Sequence, residues 1–227
     1  MDFASGTIDR IRSISQRALL SYWGRLANGG LVPFEEFEPS SRIHDPKQLA
    51  VWKVDAKVGQ THFRALYRGK LLDEAFNEGW AGKTLAEITP PSLRDPIISA
   101  SNHCASTGCA VYTILRTYDN AGLAIDLERL LLPFGKAGRV QQIVASLQLI
   151  SLKGVVDRPQ VARSFELKSE CVLSIRIPAG GLDAKRGVRQ LTEMHDLLDI
   201  EESSAHCGPS PRRSSAAILM RRARQSG

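Results

Sequence analysis

The chain has 227 residues, 43% hydrophobic and 24% charged, an ordinary globular composition with room for one good core and a tail. No apolar run reaches the roughly 20 residues a membrane-crossing helix needs. The opening MDFASGTIDRIRSIS is broken by charges where a secretory leader would be apolar, so a cytoplasmic protein is expected. Cys104, Cys109, Cys171 and Cys207 are too few and too irregular for a disulfide framework and read as free thiols.

The net charge of +6 is unevenly placed. Residues 1–151 carry 17 basic and 15 acidic side chains, against 13 and 9 in the remainder. His206 to Gly227 holds five arginines and no acid.

Residues 7–28 have the pattern of an amphipathic helix, with Ile8, Ile11, Leu19, Tyr22 and Leu26 near one face and Gly29-Gly30 as its stop. With Trp23, these residues form the expected dimer or partner face. Residues 31–46 read as a connecting loop, with Pro33, Pro39, Pro46 and a helical turn near Ser40–His44. Gln48–Val54 and Thr61–Tyr67 read as strands around a turn at Lys57-Val58-Gly59, the second with a two-residue period.

From Gly69 the period becomes helical, over Leu71–Asn77, Thr84–Ile88 and Pro91–Ser106. Thr84 with Glu87 fits a capping box. Three strands follow: Cys109–Tyr118, Leu123–Phe134 and Arg139–Ser151. Asp119-Asn120-Ala121-Gly122 signals the first turn between them, and Phe134-Gly135-Lys136-Ala137-Gly138 closes a hairpin. In the last strand Ile143, Ala145, Leu147 and Leu149 share one face, and Gln142, Ser146 and Gln148 the other. Beyond Ser151, Cys171–Ile177 is a candidate strand and Lys185–Ile200 a candidate helix. Residues 201–227, rich in Ser, Arg and Pro, have the composition of a disordered tail.

Motifs for chemistry are sparse. Glu78–Thr84 resembles the end of a phosphate-binding loop, but Asn77 stands where that loop needs its first glycine. His103, Cys104 and Cys109 lack the second pair of ligands that tetrahedral zinc requires. Asn102-His103-Cys104 echoes a flavin-reactive cysteine without its Asn-Cys order or its continuation. His62 and His103 are formal haem ligands with nothing around them to support the role. No Ser/His/Asp set or paired carboxylates can be named, so an enzyme is not expected. The tail arginines Arg212, Arg213, Arg221, Arg222 and Arg224 could attract phosphate. They come without aromatic interleaving or a helix-turn-helix pattern, which disfavours nucleic acid and leaves a nucleic-acid-associated regulator as the alternative reading.

The order of two strands, a run of short helices and three strands resembles a PAS domain. The chain is similar to a PAS-like family found mainly in alphaproteobacteria, in several residues taken in order. These are Tyr22-Trp23, Leu26, Gly29-Gly30, Pro33 and Pro39, then Phe63-Arg64-Ala65-Leu66-Tyr67-Arg68-Gly69 and Gly82-Lys83-Thr84-Leu85. Leu130-Leu131-Leu132-Pro133 with Gly135 to Gly138 completes the set, and the resemblance covers about residues 18–151.

The resemblance implies an α+β fold, a five-stranded antiparallel sheet with short helices on one face. An N-terminal amphipathic helix (1–30) precedes the PAS-like domain (31–151). An extension (152–200) and a basic tail (201–227) follow. It also implies a bacterial sensory or regulatory protein that binds a small ligand, dimerises or meets a signalling partner. No cofactor is specified. A pocket between helices and sheet would be lined by Trp52, Phe63, Leu72, Phe76, Trp80, Ile98, Leu115, Leu127 and Val144.

Overall fold

The computed structural model describes residues 2–39, 43–57, 60–76, 79–80, 82–118, 122–151 and 169–181. In chain order these form β1 (Ala4–Ser5), α1 (Ile14–Ala27), β2 (Leu49–Lys57), β3 (Gln60–Arg68), α2 (Lys70–Phe76), α3 (Leu85–Ile88) and α4 (Pro91–Thr107). They continue with β4 (Ala110–Tyr118), β5 (Ala124–Lys136), β6 (Arg139–Ser151) and β7 (Glu170–Ile177). The strands make one sheet in the order β1-β7-β4-β5-β6-β2-β3.

This α+β architecture departs from expectation in three ways. The sheet has seven strands among the described residues, not five. It is mixed, because β1 runs parallel to β7 while the other neighbours are antiparallel. Helices cover both faces, α1 on one side and α2, α3 and α4 on the other. The candidate strand Cys171–Ile177 lies within β7, which pairs along β4, so the sheet does not end at Ser151. The sequences proposed for a helix at Lys185–Ile200 and for the basic tail lie outside the described residues.

Burial on both faces explains β5. Eleven consecutive residues from Ile125 to Gly135 are buried, as a strand sandwiched between two layers must be. Leu130, Leu132 and Phe134 pack towards α1, and Leu127 and Leu131 towards α4. The β5–β6 hairpin turns through Ala137-Gly138, both with positive φ (52° and 73°) between the paired residues Lys136 and Arg139. Two such residues suit the right-handed twist of the flanking strands. Gly135 sits at a register shift, where a Cβ would stand 1.9 Å from the Arg139 carbonyl oxygen.

The N-terminal helix is shorter than its pattern. A 3-10 turn covers Ile8–Arg10, the chain then extends, and Ser13 caps α1 by accepting a hydrogen bond from Gln16 N. Gln16, Leu19, Leu20, Trp23 and Ala27 form the buried face of α1. The Trp23 indole donates to the Pro133 carbonyl at 3.0 Å. Of the residues assigned to a dimer or partner helix, Ile11, Leu19 and Trp23 are core, and Ile8, Tyr22 and Leu26 pack against the same cluster. That face is therefore packed largely against the chain's own sheet, with Ile8, Tyr22 and Leu26 half-buried at its margin.

Candidate functional site

The α4 face of the sheet has the makings of a site. The expected capping box of α3 is present, with Thr84 Oγ1 accepting from Glu87 N and the Glu87 carboxylate accepting from Thr84 N at 2.6 Å. This turn is tied to the edge strand by Ala65 N donating to Lys83 O. The stretch that resembles a phosphate-binding loop thus serves, at its Lys83–Thr84 end, to start a helix. In α4, proline at the first helical position and Gly108 (φ 64°) past the end set the boundaries. Leu93, Ile97, Ala100, Ser101 and Cys104 turn inward at helical spacing and lie on the sheet.

Between these helices and the sheet, Trp52, Phe63, Leu72, Trp80, Leu115 and Leu127 share one buried cluster, with Ile98 packed against it. The Trp52 and Trp80 rings are 5.5 Å apart, and the Arg68 guanidinium lies 4.7 Å from the Trp80 ring centre. Phe76 belongs to α2, and its side chain lies outside the described residues. Val144 is a correction: it pairs with Val51 and Leu132 and belongs to the α1-side core. Its neighbours Ile143 and Ala145 face α4. Strand alternation in the sequence already separated Val144 from them, since it has the parity of Gln142 and Ser146.

The polar residues on this face were missed by the sequence reading. Ser174, Thr113 and Arg129 stand side by side across β7, β4 and β5, in register, with Leu147 of β6 next in the row. Directly paired residues of an antiparallel sheet present their side chains to the same face. Leu147 packs in the α4-side cluster, so the row faces α4. Arg129 is 3% exposed and Thr113 is fully buried. Ser174 Oγ, Thr113 Oγ1 and Arg129 Nη1 are all closed to solvent and make no hydrogen bond.

The titratable neighbours of Arg129 are the thiols Cys104 and Cys171. Burial lowers the guanidinium to about 10 and pushes both thiols up, so they stay protonated and uncharged at neutral pH. The sequence does hold a signal for this site. Arg129 interrupts the parity of Leu127 and Leu131, whose face is otherwise apolar.

The remaining candidates are separated from one another. His103 stacks on Phe3 with ring centres 4.2 Å apart, while Cys104 is buried beneath α4. No group of three His, Cys, Asp or Glu side chains is placed to hold a metal among the described residues. His62 alternates with the inward-facing Phe63 and pairs with Asp55 on the β2–β3 hairpin, so it does not point under α4.

The α1 face carries a separate polar network. Arg116 grips Asp126 through Nε at 2.7 Å and Nη2 at 2.9 Å, and Arg12 Nη1 donates to the same carboxylate at 2.7 Å. Burial alone would raise the Asp126 carboxyl, but these charged hydrogen bonds outweigh it and hold it below its usual range. Gln16 Nε2 donates to the Ser146 carbonyl and hydroxyl oxygens, and His44 Nε2 lies 3.1 Å from Ser146 Oγ. Glu128 is buried, and neither carboxylate oxygen makes a hydrogen bond of good geometry, although the Tyr112 hydroxyl and the Ser13 backbone are near enough to favour its charged form. Its ion-pair partner, Arg12 Nε, is 3.9 Å away. Burial raises its carboxyl above the usual range. These groups fasten α1 to the sheet by two-sided polar contacts.

No protein-family model matches the chain, and no curated protein matches it. Among solved structures it is similar to an RNA-binding light-oxygen-voltage receptor, at 21% identity and a TM-score of 0.31. The aligned part is 56% of this chain and 34% of that one, so the chain spans about a third of the receptor. A likeness this slight carries no family assignment.

Proposed function

We propose that the chain is a PAS-like sensory or regulatory module that holds a small molecule between α4 and the sheet. On this reading the bound state is passed on to a signalling partner or a second copy, without catalysis. One observation carries it. A two-stranded hairpin, a helical crossing and a three-stranded meander follow one another in one sheet, and the crossing lies over a buried cluster that includes Trp52, Trp80, Leu115 and Leu127. Concave, mostly apolar sites with a few fixed polar groups are where small ligands bind. The PAS-like sequence elements at Tyr22-Trp23, Phe63–Gly69 and Leu130–Pro133 support the same reading. Cys104 and Glu128 are closed off in the interior, which suits a binding role better than turnover.

The reading is tested by native mass spectrometry of full-length protein purified from its own host, paired with hydrogen exchange before and after mild denaturation and refolding. A retained small molecule, with faster exchange in α4 once it is lost, is the expected result. Protein that carries no small molecule and exchanges identically before and after would count against a sensory role.

A further inference from the structure

The row Ser174, Thr113, Arg129 consists of donors in want of an acceptor. A guanidinium can only donate, and a hydroxyl beside it turns its proton towards whatever acceptor is offered. A guanidinium buried without a counter-charge is among the costlier arrangements a core can hold. Arg129 Nη1 has no hydrogen-bond partner, no ion pair forms with the guanidinium among the described residues, and the thiols beside it are neutral. A trapped water would satisfy the hydroxyls but leave the charge uncompensated. An anion satisfies all three groups.

The same surroundings narrow the class. One guanidinium balances one negative charge, which favours a monoanion over a dianionic phosphate. A planar carboxylate matches the guanidinium fork and has lone pairs left for two hydroxyls. On the α4 face the row is flanked by the buried side chains of Val111 and Leu131 on one side and Leu115 and Leu127 on the other. Whatever carries the carboxylate therefore lies against hydrocarbon.

We propose that Arg129, Thr113 and Ser174 bind the carboxylate of a small monoanionic acid with an apolar body, enclosed between α4 and the sheet. This supplies the ligand class for the sensory reading above and rests on it for its physiological meaning.

The test uses the full chain, with hexanoate, its neutral counterpart hexanamide and inorganic phosphate as probes in thermal-shift and calorimetric titrations. Hexanoate should raise the melting temperature saturably, while hexanamide and phosphate leave it in place. Arg129→Met should abolish the hexanoate response. Thr113→Val and Ser174→Ala, which keep most of the side-chain volume, should each weaken binding by about tenfold to a hundredfold, the loss of one hydrogen bond to a charged group. These two variants keep the test decisive should Arg129→Met fail to fold. The proposal is overturned if neither hexanoate, acetate nor benzoate binds, if hexanamide binds as well as hexanoate, or if all three variants respond like the parent. Hydrogen exchange then separates the two readings. Saturable hexanoate binding with unchanged exchange outside the α4 face would leave the site standing and count against sensing, whereas absent binding removes the site alone.

Discussion

Two buried ionisable groups on the α1 face give the protein opposite responses to pH. Burial lowers His44 from 6.5 to about 4, so the imidazole is neutral in the fold and takes up a proton more readily in the unfolded chain. Its contribution to stability is complete above pH 6.5 and is lost as the pH falls towards 4, about 3 kcal/mol in all. Denaturation profiles should therefore show a larger loss between pH 6.5 and 4 for the parent than for His44→Gln, even though carboxylates titrate in both. Glu128 works the other way, because its carboxyl is raised and the cost of burying it ionised is felt at neutral pH. Glu128→Gln should stabilise the protein at pH 7 by about 1 kcal/mol, the scale of relieving one unsatisfied buried polar group. The gain should shrink as the pH falls and the parent carboxyl protonates. A destabilised Glu128→Gln at pH 7 would mean that Arg12 at 3.9 Å matters more than desolvation.

At the scale of elements, the hairpin joining β5 and β6 combines one glycine that cannot be replaced with one alanine that can. Ala137 has φ 52°, a conformation that costs an L-residue with a Cβ about 1 kcal/mol. Ala137→Asn would give the Asn-Gly pair preferred in such turns. It should raise stability by up to about 1 kcal/mol, read as a higher midpoint in urea with an unchanged slope. The strands and helices of this region were legible because alternation and helical spacing are local. Thr84 and Glu87 announced their capping box, and Arg139–Ser151 was bounded correctly. The start of α1 was not legible. Ile8 and Ile11 continue the apolar pattern into a segment that the Ser13 cap then cuts off.

At the scale of the whole molecule, the decisive pairing is between β4 and β7, which are 51 residues apart at their nearest ends. Nothing in the local pattern of Cys171–Ile177 tells which edge it will join. Truncation after Ser151, the boundary that the meander suggests, would strip β7 from β4 and leave the backbone of β4 as an open edge. It would also remove Ile175 and Ile177, which complete the α1-side core. Such a fragment should aggregate or self-associate in size-exclusion chromatography and light scattering. A monodisperse, stable 1–151 fragment would show that β7 is dispensable.

The sequence by itself determined the kinds of element and most of their order, because side-chain periodicity and turn chemistry act within a few residues. It also named Trp52, Phe63, Trp80, Leu115 and Leu127 together, and the fold gathers them in the cluster beneath α2, α3 and α4. Only the tertiary structure decided which faces were covered. It laid the N-terminal helix as a layer over the sheet, because the sheet's far face is apolar and α1 is the element that covers it. It also brought Ser174, Thr113 and Arg129 into one row. Their neighbourhood exists only through strand register between distant segments: Arg129 breaks an apolar face in its own strand, but nothing local ties it to Thr113 or Ser174.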